Sequence, residues 1–163
     1  MSLIFDIETD GFVIKLTKIH CIVIQDTETK EISKYVTNIR EAIIRLENAD
    51  EIIGHNIIGF DIPAIKKIYK FNPKGKITDT LLISREIWPK IGLDASVNTN
   101  IPEEMKNRHS LSAWGHRLKE NKSEYKGGFE FYSNEMLKYC VQDVIVTTKL
   151  WEFLKKKRRN INS

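Results

Sequence analysis

The chain opens on an apolar run interrupted by acids, Ser2-Leu3-Ile4-Phe5-Asp6-Ile7-Glu8, which predicts a strand over residues 2–8 with Leu3, Phe5 and Ile7 on one face. A second run, Lys18-Ile19-His20-Cys21-Ile22-Val23-Ile24-Gln25, predicts another strand. Glu31–Thr37 reads as a third, with Thr27-Glu28-Thr29-Lys30 as the polar turn between them. The period then lengthens. Asn38 stands as an N-cap ahead of Ile39, Ile43 and Leu46, which recur at helical spacing. Glu51–Gly54 is a short strand ending in His55-Asn56, and Asp61-Ile62-Pro63 opens a helix, because proline suits a first turn. Another helix covers Thr80–Trp88. Residues 89–109 hold Pro89, Gly92, Pro102 and an Asn-Thr-Asn tract, which predicts a long, poorly ordered loop. Ser110–Lys119 is helical, with Leu111, Trp114 and Leu118 on one core-facing stripe. Residues 121–131 form a polar connection. Ser133 then caps a last helix running to about Arg158, with Leu137, Cys140 or Val141, Val144, Thr148 and Trp151 as its apolar stripe. A hairpin, then alternating strand and helix, then helices, predicts an α/β domain with a mixed central β-sheet flanked by helices.

The length of 163 residues fits a single domain spanning 1–163. No apolar run approaches the roughly 20 residues of a membrane helix. The N-terminus lacks a basic n-region, which speaks against a secretory signal. Cys21 and Cys140 each lie in an apolar stretch and read as buried small hydrophobes, which fits a reducing cytoplasm. The formal net charge of +4 is compatible with a polyanionic partner. Part of it sits in Lys155-Lys156-Lys157-Arg158-Arg159, which reads either as a solvated helix end or, over about 156–163, as a phosphate-contacting basic tail.

Three short patterns carry candidate chemistry. In Asp6-Ile7-Glu8, residues two apart on a strand share a side, so two carboxylates face one way. Like charges at the edge of a core are costly unless a hard divalent cation such as Mg²⁺ or Mn²⁺ lies between them. An edge strand with solvated acids explains the same residues equally well. In His55-Asn56 through Asp61, a strand ends, the chain turns and an acid opens a helix, and simple N-capping is the competing explanation for Asp61. In Tyr139-Cys140-Val141-Gln142-Asp143, a phenol and an acid four apart share a helical face beside the apolar stripe, as an exposed Tyr–Asp pair also would.

In this order and at these separations, the three patterns resemble the DEDDy 3′→5′ exonucleases. The resemblance is closest to the proofreading exonuclease domain of family-A DNA polymerases of short-tailed bacteriophages. It is carried further by Thr17-Lys18-Ile19-His20-Cys21, Asp79-Thr80-Leu81, His109 through Leu118, Glu124-Tyr125-Lys126 and Asn134-Glu135-Met136, from about residue 3 to 155. It implies a ribonuclease H-like fold. It also implies that Asp6, Glu8, Asp61 and Asp143 hold two divalent ions, Mg²⁺ or Mn²⁺, and that Tyr139 orients the attacking water. The histidine variant of this group carries its histidine where Lys138 stands, so the tyrosine variant applies. Substrate candidates are Thr9, through its backbone N–H to the terminal 3′-hydroxyl, Phe12, as a stacking wedge or else a core residue, and Asn56. Lys122 and Lys126 are phosphate candidates or ordinary surface lysines. The expected activity is release of nucleotides from the 3′ end of single-stranded DNA, either alone or proofreading for a DNA polymerase in trans. An exoribonuclease with the same chemistry and a non-catalytic nucleic-acid-binding module are the alternatives. No residues remain after the last helix for a polymerase palm, so polymerisation is not expected.

Overall fold

The computed structural model describes residues 1–120 and 124–161. Five strands, β1 (Ser2–Thr9), β2 (Ile19–Asp26), β3 (Ile32–Tyr35), β4 (Glu51–Gly54) and β5 (Lys76–Asp79), form one sheet in the order β3-β2-β1-β4-β5. β1 is antiparallel to β2 and parallel to β4, β2 is antiparallel to β3, and β4 is parallel to β5. β1 and β2 are buried on both faces, which is why their sequences read as nearly continuous apolar runs. The pairing of β1 with β2 contains a bulge: Glu8 faces Cys21 and Thr9 faces Ile19, with His20 the extra residue.

Helices α1 (Ile39–Glu47) and α2 (Asp61–Ile68) close one face of the sheet over Leu3, Phe5, Ile7, Ile22 and Ile24. The other face carries Ile4, Cys21, Val23 and Ile53 and is covered by Cys140 and Val144 of the long helix α5 (Asn134–Ile161). A second core lies where α5 meets α3 (Thr80–Ile87) and α4 (Leu111–Arg117). There Trp88 stacks on Phe153 at 5.8 Å between ring centroids, and the fully buried Trp114 packs against both.

Four expectations need correction. Strand β5 is missing from the sequence reading, because four residues with only Ile77 and Thr78 as strand formers carry too little alternation. Asn38 occupies the N-cap position of α1 but does not cap with its side chain, which donates to the Glu41 carboxylate at 2.7 Å. Residues 89–109 are packed rather than loose. Ile91, Val97 and Ile101 are buried, two short 3-10 turns form at Ile91–Leu93 and Glu103–Met105, and the Trp88 indole N–H bonds Asp94 at 2.9 Å. Arg117 ties the same stretch down through Asn98, Lys106 and Arg108. Finally, α5 buries Met136, Cys140, Asp143, Val144, Val146, Thr147, Leu150 and Leu154, a face wider than the expected stripe and rotated from it, since Leu137, Thr148 and Trp151 are only half-buried. The helix is covered from two sides, by the sheet and by α3 and α4, so Asp143 lies within the buried face rather than beside it.

Candidate active site

The bulge and the strand alternation decide which acids meet. Along β1, Phe5 and Ile7 enter the core under α1 and α2, while Asp6 and Glu8 point with Ile4 toward α5. The opposite residues on β2 are Val23 and Cys21, both small and apolar, which leaves room for side chains from α5. There Cys140 donates its thiol to the Asp6 carboxylate, Sγ to Oδ2 at 3.3 Å. That contact fixes α5 against β1 and brings Asp143, one turn on, to the same place. Ligand atoms of Asp6, Glu8 and Cys140 all lie within 4.8 Å of one another. Both cysteines are buried, as expected of small hydrophobes, but the position of Cys140 against Asp6 was not legible in the sequence.

Asp61 arrives from the other face of β1. The N-cap of α2 is Phe60, so capping is not the role of Asp61, which is the first helical residue and is 4 % exposed. Its placement depends on the turn before it. A Cβ on Gly54 would collide with Ile57 and crowd the Phe5 carbonyl oxygen at 3.0 Å, so the strand can turn this tightly only with glycine there. Asn56 has φ of 63°, the left-handed region that asparagine tolerates. Asp79, buried at the end of β5, accepts the backbone N–H of Asn56 at 2.9 Å and of Ile58 at 3.1 Å while capping α3 through Leu81. Sequence reasoning gave Asp79 no role. Its N-cap pattern was visible, but the turn it holds comes from 23 residues away.

The four carboxylates form one electrostatic unit. Burial pushes the Asp6 carboxyl well above the usual carboxylate range, and the charges of Asp143, Asp61 and Glu8 push it further. Burial likewise raises Asp61 well above that range; the backbone N–H groups of Asp61 and Ile7 oppose the shift, and Glu8 and Asp79 add to it. Asp61 Oδ1 is buried with no hydrogen-bond partner among the described residues. Crowded, desolvated acids with an unsatisfied buried oxygen suit a hard cation, so these residues fit a divalent metal.

Two recesses flank this centre. A cleft of about 670 Å³ is lined by Asp6 and Asp143 together with Asn56, Arg85, Arg108 and His109, so acids and guanidinium groups share its wall. On the other side a smaller apolar slot of about 160 Å³ has Glu8 and Thr9 with Phe12, Phe60 and Phe129. Phe12 is 82 % exposed and is therefore no core residue. Its loop is nevertheless fixed. Asp10 accepts the Thr17 and Lys18 amides at 2.8 and 3.1 Å, and Lys67 of α2 donates to the Val13 and Ile14 carbonyls at 2.8 and 2.6 Å. Thr9 is buried and donates its hydroxyl to the Gly11 carbonyl at 2.7 Å. Tyr139 is half-buried, one residue before Cys140, and its ring lies 5.7 Å from that of Tyr125. Lys126 is exposed on the same segment as Tyr125, and Lys122 lies outside the described residues. Arg85 and Arg108 of the cleft and Phe129 of the slot are among the lining residues to which the sequence assigned no role.

The chain is 30% identical over 93% of its length to the DNA-directed DNA polymerase of Escherichia phage T7, and 31% identical over the same share to that of Enterobacteria phage T3. It spans about a quarter of the length of these relatives. Its fold matches Brucella melitensis NrnC with bound Mg²⁺ at a TM-score of 0.69 and 15% identity, covering 99% of this chain and 75% of that one. It also matches E. coli Exonuclease I in complex with a 5cy-dT13 oligonucleotide at 0.64 and 15%, covering 98% and 41%. No protein-family model matches the chain. Over nearly its whole length the chain is thus homologous to a segment of the phage T7 and T3 DNA polymerases, and its five-stranded mixed sheet with flanking helices has the ribonuclease H-like fold.

Proposed function

We propose that the chain is a metal-dependent 3′→5′ exonuclease of the DEDDy type that removes nucleoside 5′-monophosphates from the 3′ end of single-stranded DNA. The observation that carries this reading is the convergence of Asp6 and Glu8 from β1, Asp61 from α2 and Asp143 from α5 into one acidic centre that opens on a cleft also lined by Arg85 and Arg108 and on an aromatic slot. Homology to phage DNA polymerases supports DNA as the substrate, and Exonuclease I with its dT13 oligonucleotide supports a single strand.

In this reading Asp6, Glu8, Asp61 and Asp143 hold two divalent ions, Mg²⁺ or Mn²⁺. Bound there, the ions supply Lewis acidity at the scissile phosphate and lower the pKa of a water. The rest is done by the chain itself. Tyr139 holds the attacking water by a hydrogen bond, a role a neutral phenol fills by donating or accepting without a change of charge. Phe12 stacks on the terminal base, a contact that tolerates any sequence. The Thr9 backbone N–H meets the terminal 3′-hydroxyl, and Asn56, at the rim of the cleft, contacts the preceding nucleotide. Arg85 and Arg108 lead the phosphates into the cleft. No Ser/His/Asp or Cys/His set is needed for this chemistry. The setting is the cytoplasm, with the chain acting alone or beside a DNA polymerase in trans. Among the described residues no helix is long and apolar enough to cross a membrane.

A gel assay with 5′-labelled single-stranded DNA, duplex DNA and RNA, each with Mg²⁺ or Mn²⁺, tests the reading. A one-nucleotide ladder on DNA that Asp6→Ala and Asp143→Ala both abolish is the expected result. A ladder that survives in both variants, or no chelator-sensitive cleavage at all, rejects it. Cleavage of RNA alone moves the substrate to RNA, an outcome kept open because NrnC, which shares the fold, is known bound to pGG.

A further inference from the structure

The bulge in β2 turns one side chain out of its expected face. Strand alternation alone would set His20 with Ile22 under α1 and α2, and Ile19 with Cys21 toward α5. The extra residue reverses this. Ile19 packs into the core under α1 and α2, and the His20 ring reaches the segment that precedes α5. Bulges re-aim side chains in this way at the loss of regular ladder bonds.

His20 is 2 % exposed, and its Nε2 lies 2.8 Å from the Phe129 carbonyl oxygen. A carbonyl only accepts, so Nε2 carries the proton and donates. Nδ1 is buried without a hydrogen-bond partner among the described residues. An imidazole with one buried nitrogen left unsatisfied is a poor way to fill a core, since an apolar side chain would avoid that penalty. The contact with Phe129 is therefore what this residue supplies. Within the segment, the Tyr125 hydroxyl bonds the Gly128 carbonyl and the Ser133 hydroxyl, and the Tyr125 ring packs edge-on to Phe129 at 5.2 Å. These contacts brace the segment internally; the His20 bond ties it to the sheet.

We propose that His20 is a positioning residue whose hydrogen bond to Phe129 seats residues 124–131, so that Phe129 forms the second wall of the slot opposite Phe12. The slot then grips a terminal base from two sides. This rests on the exonuclease reading above, which Phe129 extends with a specificity residue outside the acidic centre.

The test uses His20→Leu, which removes the donor and also the unsatisfied nitrogen, and His20→Gln, which returns an amide donor at similar reach. Phe129 is 47 % exposed, so its carbonyl can bond water when released, and Tm should move little. Amide hydrogen exchange over residues 127–131 reads the seating without any activity. Steady-state cleavage is compared for two oligonucleotides, one with an ordinary 3′ nucleotide and one with an abasic 3′ end. His20→Leu should raise exchange in the segment and raise KM roughly tenfold on the ordinary end, from lost stacking, while leaving the abasic end and kcat nearly unchanged. Phe129→Ala should reproduce the KM rise, and His20→Gln should restore most of it. Unchanged exchange in a folded His20→Leu protein, equal losses on both ends, or no recovery with Gln overturns the proposal. A wild type that cleaves neither end overturns the exonuclease reading and the base slot with it, and the exchange arm distinguishes that failure from failure of the His20 clamp.

Discussion

Removing one charge from the acidic centre should make the ion-free protein more stable. Ligand oxygens of Asp6 and Glu8 lie within 4.8 Å of each other. At an effective dielectric constant of about 20, like charges at that separation repel by roughly 3 kcal/mol. Burial and the charges of Asp143 and Asp61 already favour a proton on Asp6, which relieves part of this repulsion. Asp6→Asn is therefore expected to stabilise by about 1–3 kcal/mol, a rise in Tm of roughly 3–10 °C for a chain of this size. The pH dependence has a definite sign. Asp6 and Asp61 lie above the ordinary carboxylate value of 3.8 in the folded chain, so the folded state holds protons that the unfolded chain releases. The stability these groups contribute is complete below that value and is lost as pH rises through their folded values. Thermal unfolding in EDTA and in Mn²⁺, at an acidic and a mildly alkaline pH, reads all of this. The Asn variant should exceed wild type in EDTA, more so at the higher pH, and should lose most of the gain that wild type shows with Mn²⁺. A variant less stable than wild type in alkaline EDTA, or one that gains as much from Mn²⁺, would refute the argument from crowded charge.

Three further outcomes are expected. Tyr139→Phe keeps the ring beside Tyr125 and loses only the hydroxyl, so kcat should fall by about tenfold to a hundredfold with KM nearly unchanged, read in single-turnover cleavage. Phe12→Ala removes an 82 % exposed ring that no core packing needs, so Tm should stay constant while KM for single-stranded DNA rises roughly 5- to 100-fold. Asp79→Ala deletes the acceptor of the Asn56, Ile58 and Leu81 amides, and chemical denaturation should show a loss of roughly 2–4 kcal/mol.

Where the sequence was legible, one residue's surroundings lay within its own element. Asp6 and Glu8 share a strand face because period two requires it, and the same rule sent Phe5 and Ile7 to the core. Ser133 was readable as a cap, and it accepts the amide three residues on; Ser110, expected inside its helix, is instead the N-cap of α4 and accepts the Ala113 amide. What stayed hidden depends on partners distant along the chain. Asp61 looked like a cap until the fold set it against Ile7 and Glu8. His20 looked like any strand residue, since a bulge leaves no mark in composition and its partner lies 109 positions away. The stretch 89–109 carries loop residues, yet Arg117 and Trp88 supply the bonds that its own backbone does not make.

Helix α2 begins with Asp61, and in its last turn Lys67 grips the Val13 and Ile14 carbonyls beside Phe12. An acid at one end and an aromatic tip tethered at the other are thereby carried on one short rigid rod. If α2 shifts, both travel together, and the spacing between a gripped base and its phosphate is preserved. In the exonuclease proposed above, that rod would act as a gauge between base and phosphate, and cutting the Lys67 tether should leave the acid in place while freeing the tip.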